Sequence, residues 1–249
     1  MNERDYHDHH YESEAARILE SPLFGRVHDR AARGFLRGTG TGREHRVLSL
    51  GCGDGSLERR LAPHVAEIVG IDLSAVAIEQ ARAKSRAAGL GNLRFLVSDP
   101  ASASLEHLGQ FDVIAAFAFL HHLEDTMIRD TLGAARKALR PGGAFYSTDP
   151  SRRRFVGLFA GWVRKTYDRY HSPDERELEP EALATSATAV GFARPVIGYT
   201  DYFLGPLAWL APGTPRWLAS TLELTDNVAL SAPLVKRYAS SFSLLARAP

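Results

Sequence analysis

The sequence predicts a doubly wound α/β domain: a mostly parallel seven-stranded sheet with helices on both faces. Three observations carry that expectation. Near-continuous apolar runs of strand length recur between residues 46 and 149, helical stretches separate them, and three glycines crowd into GCGDG (51–55) directly after the first run.

The elements follow in order. Residues 1–41 read as a helical cap, with Ile18, Leu19, Leu23, Val27 and Phe35 near helical spacing, and GTGTGRE then breaks the pattern. The core, 42–150, offers strands RVLSL (46–50), EIVGI (67–71), NLRFLVS (92–98), FDVIAAFAF (111–119) and GAFYSTD (143–149). Between them lie SLERRLAP, SAVAIEQARAKSRAAG and EDTMIRDTLGAARKALR; the second keeps Val76, Ile78, Ala81 and Ala88 on an apolar side. Strands joined through crossover helices are the pattern of a parallel sheet. Residues 151–249 break the alternation. A basic, aromatic stretch (150–178) leads to a helix ending at Gly191, and two further strands, RPVIGYTDYF and YASSFSLLARA, complete the sheet. An apolar, proline-interrupted segment between those two strands predicts a helical lid, a companion to the one expected after the fifth strand.

A chain of 249 residues suits one large decorated domain, and 45% hydrophobic with 24% charged residues is ordinary for a globular protein. Thirty Lys+Arg against 29 Asp+Glu give no electrostatic reason to expect nucleic acid. No apolar run reaches membrane-spanning length, and the start, MNERDYHDHHYESE, is too polar and acidic for a secretory signal. The single cysteine, Cys52, excludes an internal disulfide and a cysteine-based zinc site. A cytoplasmic location is the expectation.

The glycine loop narrows the ligand. Gly51, Gly53 and Gly55 permit left-handed backbone and close approach at the first β-α turn, where ligands of doubly wound sheets bind. A dinucleotide fingerprint needs glycine at position 56, which is Ser56, and a phosphate loop needs a lysine, of which 47–61 has none. Asp54 would repel a pyrophosphate. Further along, Asp72 closes the second strand in VGIDLS, VSDP closes the third, FDVIAAFAFLHHLED covers the fourth and its turn, and ALRPGGAFYSTDP enters the fifth.

With those five stretches in order over about residues 45–150, the chain resembles the Rossmann-like, class I S-adenosylmethionine-dependent methyltransferases, of the small-molecule type. The resemblance implies S-adenosyl-L-methionine as methyl donor and S-adenosyl-L-homocysteine as product. It implies cofactor contacts from the loop (Gly51, Cys52, Gly53, Gly55), from Asp72 to the ribose hydroxyls with Leu73 beside it, from Asp99 to the adenine amino group, and from the backbone near Phe117. Tyr6 or Tyr11 would close over the cofactor. One departure stands out: the family often has an acid at the end of its first strand, where this chain has Ser49 and Leu50.

Methyl transfer is an in-line displacement governed by alignment, and a base is needed only when the acceptor must lose a proton. His121 and His122, past the fourth strand, are either that base or a packed, capping turn, with His121 preferred as the base. Asp149 either orients a histidine or binds the acceptor, or caps the next segment. No metal is expected: His7, His9 and His10 lie in a polar terminus without fixed geometry. Cys52 reads as a small buried residue, with no chemistry that asks for a nucleophile.

The expected acceptor is a small hydrophobic or aromatic molecule, methylated on oxygen, nitrogen or carbon. The appended segments carry Phe155, Phe159, Trp162, Tyr167, Tyr170, Tyr202, Phe203, Trp209 and Trp217, which would line an acceptor site or form the core of the added helices. Arg152, Arg153, Arg154, Arg164 and Lys165 flank an apolar centre in 151–165, as in a solvated lid helix or one in peripheral contact with an anionic membrane. The second case would fit a lipid or quinone acceptor. An alternative from another class is a repurposed domain that binds the cofactor without transferring methyl. Oligomeric state is left open.

Overall fold

The computed structural model describes residues 8, 11, 18–101, 104–155 and 175–249. The helix that follows Ser21 is capped by it: its side chain accepts the Phe24 N–H at 3.3 Å, while Pro22 takes the first turn, where no N–H is needed. This α1 (Pro22–Thr39) stops at Gly40, whose φ of 72° lets its N–H reach the Leu36 carbonyl. There follow β1 (Arg46–Leu50), α2 (Ser56–Leu61), β2 (Glu67–Asp72), α3 (Ala75–Ala87), β3 (Leu93–Val97), β4 (Phe111–Phe117), α4 (Asp125–Ala138) and β5 (Leu139–Pro150). The rest comprises α5 (Pro180–Ala189), β6 (Ala193–Asp201), α6 (Leu204–Leu210), α7 (Arg216–Ser231) and β7 (Ser241–Arg247).

The seven strands form one sheet, ordered β3-β2-β1-β4-β5-β7-β6. β1 to β5 pair in parallel, and β7 runs antiparallel between β5 and β6. The chain winds outward from β1 to β3 and then returns to place β4 on the other side of β1. That reversal opens a crevice at the carboxyl ends of β1 and β4, where such sheets bind ligands.

Both faces of the sheet are covered, so its strands are apolar on both sides. Leu48, Leu50, Ile114, Ala116 and Phe145 pack with Ile128 and Leu132 of α4 and Leu183 of α5. Val47, Val113, Ala115 and Tyr146 face the other way, toward Phe35 of α1 and Leu57 and Leu61 of α2.

Two of the boundaries that differ from the sequence expectation lie beside the crevice strands β4 and β5. The helix expected through Arg140 ends at Ala138, and β5 begins at Leu139 rather than 143. Pro141 is the cause, because the residue before a proline is pushed out of helical conformation. The fourth strand ends at Phe117 rather than 119, because Ala118 turns to a φ of 48°, rare for a residue with a side chain.

The lid between the last two strands is helical, as expected, but rests on α1. Leu204, Ala208 and Ala219 pack on Leu23 and Phe24, and Trp209 meets Phe24 edge-on at 4.9 Å. Arg26 and Arg33 pair with Glu223, and Arg30 with buried Asp226. Tyr202 is buried while Trp217 is 70% exposed, so the lid aromatics divide between core and surface. Phe159, Trp162, Tyr167, Tyr170, Arg164 and Lys165, like Tyr6, His7, His9 and His10, lie outside the described residues. No helix among the described residues is long and apolar enough to cross a membrane.

Candidate active site

The glycine loop leaves β1 by hanging from its neighbour: the Gly51 and Cys52 N–H groups both donate to the Ile71 carbonyl, at 2.9 and 3.1 Å. Asp72, the last residue of β2, then holds the loop, its Oδ2 accepting the Gly53 N–H at 2.8 Å and its Oδ1 the Ser74 N–H at 2.9 Å. Asp72 thus ties the loop to the start of α3. Gly51 and Gly53 adopt φ of 67° and 52°, and a side chain on either would run into an aromatic ring, Phe119 over Gly51 and Tyr11 over Gly53. Gly55 is different in kind, since its missing side chain makes room for Phe95 and Ala81 of the core.

Tyr11 thus covers the loop, anchored through its carbonyl by Gln80 Nε2 at 3.0 Å. Burial pushes its hydroxyl well above the ordinary phenol range, and the carboxylates of Asp72, Asp54 and Glu58 add to the effect. Cys52 sits beneath the loop with Ile78, Ala81 and Phe95, and burial raises its thiol, which commits the side chain to packing and removes it as a nucleophile. Asp54 points to Lys84, at 2.6 Å; burial opposes its charge, but that ammonium and the Ser56 N–H hold its carboxyl below the usual range. The Phe117 ring packs on Phe35 and Tyr146, so any cofactor contact there falls to its backbone. Leu73 is half-buried beside Asp72, and Asp99 is half-buried at the end of β3, accepting the Ala101 N–H at 2.9 Å.

Across the crevice, the Ala118 N–H bonds to the Thr148 carbonyl at 2.7 Å, and the strained turn delivers Phe119 onto Gly51 and the single turn Leu120–His122 onto the end of β5. Buried His121 lies against buried Asp149, whose Oδ1 accepts the His121 N–H at 3.2 Å and stands 3.4 Å from Nδ1. The His122 ring stacks 4.1 Å from that of His121. Glu175, from the segment after β5, brings Oε2 within 3.8 Å of His121 Nε2 and Oε1 within 3.9 Å of His122 Nδ1. Arg176 fixes this segment by donating its N–H to the His121 carbonyl and its Nε to that of Leu123. Asp149 Oδ2 is buried and makes no hydrogen bond among the described residues. One ligand atom from each of His121, His122 and Glu175 lies within 4.8 Å of the others, so a metal reading of this cluster has to be met by experiment.

Three residues of the site escape sequence reading. Phe119 lies in what reads as strand, and Glu175 stands beyond a long connection that hides its approach to the histidines. Glu58 is the third. It is 1% exposed in a six-residue helix, on the same face as Leu57 and Leu61. An acid sharing the apolar face of LERRL was the available signal. Ser49 donates to Glu58 Oε1 at 2.6 Å, while Oε2 makes no hydrogen bond among the described residues. Burial pushes this carboxyl up to about 7.

Known proteins are similar in the same parts. A family model described as a methyltransferase domain matches residues 47–143. A ubiquinone biosynthesis O-methyltransferase from Psychrobacter cryohalolentis is 28% identical over 195 residues, 76% of this chain and 72% of that protein. One from Bordetella avium is 29% identical over 150 residues, 59% of this chain and 61% of that one. Among solved structures, magnesium protoporphyrin IX methyltransferase from Synechocystis, with bound S-adenosylhomocysteine, superposes with a TM-score of 0.65 at 17% identity, covering 99% of this chain and 98% of that one. That last likeness speaks to fold alone. The residues present suit the same cofactor: a loop whose close approach any Cβ would block, a strand-end acid for a diol, and no lysine for a phosphate.

Proposed function

We propose that the chain is a class I S-adenosylmethionine-dependent methyltransferase that methylates a hydroxyl oxygen of a small hydrophobic or aromatic acceptor, with His121 as general base. S-adenosylmethionine supplies an electrophilic methyl group on a sulfonium with a neutral leaving group. In this reading the Gly51–Gly55 backbone borders the methionine and ribose portions, Asp72 accepts the ribose hydroxyls with Leu73 beside it, Asp99 accepts the adenine amino group, and Tyr11 shuts water out over the loop. Residues 1–41 act as the cap, 42–150 as the cofactor core, and 151–249 as the acceptor side together with the last strands.

The observation that carries the reading is the chain of groups Asp149, His121, Glu175. Asp149 beside Nδ1 holds the proton there, which leaves the Nε2 lone pair free to take the acceptor's proton. Glu175 Oε2 stands 3.8 Å from that Nε2. Relatives named as O-methyltransferases support oxygen as the acceptor atom. The test uses methyl-labelled cofactor with a panel of hydroxylated aromatics. His121→Gln is expected to lower turnover about 10²- to 10³-fold while S-adenosylhomocysteine binds as in the wild type. Wild-type turnover in the variant would remove His121 from the chemistry.

A second reading, a membrane-associated lipid or quinone acceptor, draws on the Psychrobacter relative's name and on the basic stretch 151–165. Of its arginines, Arg153 pairs with Glu179 and Glu181 and Arg154 with Glu177, which lowers the charge they offer a membrane. Flotation with anionic liposomes at low salt decides it, and absence of co-migration ends it.

A further inference from the structure

Ser49 occupies the strand-end position where the family often carries an acid, yet a carboxylate stands at that place, supplied by another element. Glu58, from the first turn of α2, reaches back to β1, and its Oε1 takes the Ser49 hydroxyl at 2.6 Å. Ser49 is 2% and Glu58 1% exposed. A carboxylate so deeply buried is expected to have both oxygens satisfied, because an unmade bond there forfeits solvation with no return. Glu58 Oε2 has no hydrogen-bond partner among the described residues.

The charge of Glu58 is felt by two groups at the loop. From the N-terminal segment its charge acts on the Tyr11 hydroxyl, and from the loop on the Cys52 thiol. Tyr11 also feels Asp72, and its hydroxyl is the group that a side chain on Gly53 would strike. Tyr11 is thus subject to two carboxylates, Glu58 of α2 and Asp72 at the end of β2. The remaining charged neighbours are Asp54, which opposes a second negative charge, and Arg59. The Arg59 guanidinium is spent on the Asp54 carbonyl, at 2.7 Å, and the Ser56 hydroxyl, at 3.1 Å. No protein cation is bonded to Glu58 among the described residues.

We propose that Glu58, oriented by Ser49, is the acceptor for the ammonium group of the methyl donor's methionine portion. The proposal rests on the cofactor reading above. A cationic ligand supplies the countercharge that the burial of this carboxyl otherwise lacks, and its ammonium offers three donors to the free oxygen. Ser49 contributes a hydroxyl short enough to leave room for the longer reach of the glutamate. Exchanging the two positions, an acid on the strand and an amide on the helix, should preserve the function.

Calorimetry with two nucleosides tests this without any acceptor. S-adenosylhomocysteine carries the ammonium; 5′-methylthioadenosine shares the adenosine and thioether but has no amino-acid portion. Glu58→Gln is expected to weaken S-adenosylhomocysteine about 10- to 100-fold, the range of a lost charged hydrogen bond, and to leave 5′-methylthioadenosine within about twofold. Adding Ser49→Asp to Glu58→Gln is expected to recover most of the loss, which also shows that the loop is folded in the variant. Unchanged binding of S-adenosylhomocysteine to Glu58→Gln would overturn the proposal. So would equal weakening of both nucleosides without rescue, because Glu58 would then only brace the loop. Failure of the wild type to bind either nucleoside would instead overturn the cofactor reading itself.

Discussion

Gly51→Ala separates the two demands made on the glycine loop. Gly51 has a φ of 67°, and a Cβ there would lie 2.6 Å from Phe119 Cδ2, 2.8 Å from its Cγ and 3.0 Å from its Cβ. Ordinary contact begins near 3.4 Å, and Phe119 is pinned by the strained Ala118 turn, so neither partner can move cheaply. The left-handed backbone costs an alanine about 1–2 kcal/mol, and overpacking adds about 1–3 kcal/mol. Gly142→Ala is the control: φ is 76°, nothing lies within 4 Å, and the residue sits at the amino-terminal end of the parallel strands, away from the crevice. Urea unfolding should show Gly142→Ala losing only the backbone part and Gly51→Ala losing that and the steric part. Calorimetry with S-adenosylhomocysteine should show wild-type affinity for Gly142→Ala and a loss greater than about tenfold for Gly51→Ala. Phe119→Ala in the Gly51→Ala chain should return the steric share of stability. Equal stability losses for the two glycine variants, or wild-type affinity in Gly51→Ala, would refute the reasoning.

Other outcomes follow from the same geometry. Asp72→Ala removes the hold on the Gly53 N–H and the proposed acceptor for two ribose hydroxyls, so S-adenosylhomocysteine affinity should fall by about 30- to 1000-fold; calorimetry showing no change would sink that site assignment. Asp149→Asn should lower turnover more than cofactor affinity if its oxygen, 3.4 Å from Nδ1, sets the His121 proton as proposed; a change confined to cofactor affinity would count against that role. Dialysis against EDTA should leave turnover unchanged if His121 is a base, and activity restored only by a divalent ion would convert the His121, His122 and Glu175 cluster into a metal site. For stability, burial and the Asp226 carboxylate push Asp201 from 3.8 up to about 6. The folded protein therefore keeps a proton that the unfolded chain releases, so this contribution is full below about pH 4 and is lost as pH rises through about 6. Asp201→Asn should raise stability at pH 7 by about 2–3 kcal/mol and show no advantage below pH 4, read from urea midpoints across pH; a pH-independent gain would rule out the titration.

Much of this was legible before any coordinates. β1 runs over the residues expected of it, and the outer helices follow their apolar stripes, because hydrophobic periodicity reports directly on what each element must bury. Local rules also account for the boundary errors. Pro141 ends α4 early, and Ala118 takes a left-handed turn that no propensity favours and that the Thr148 carbonyl stabilises. Trp209 shows the limit of composition: an aromatic in a lid reads equally as acceptor lining or core, and only its contact with Phe24 places it in the packing against α1.

The sequence by itself determined the sheet and the position of the crevice, and through a family resemblance it implied the methyl donor, since each depends on residues close in the chain: glycines at a strand end, an acid closing the next strand, histidines after the fourth. Tertiary structure alone decided which carboxylates meet the residues around the crevice. Glu58 meets Ser49 across the first β-α turn, and Glu175 meets His121 across the long connection after β5. Each pairing joins separate elements, and the burial that makes an acid costly on its own or useful beside a partner exists only once those elements have packed.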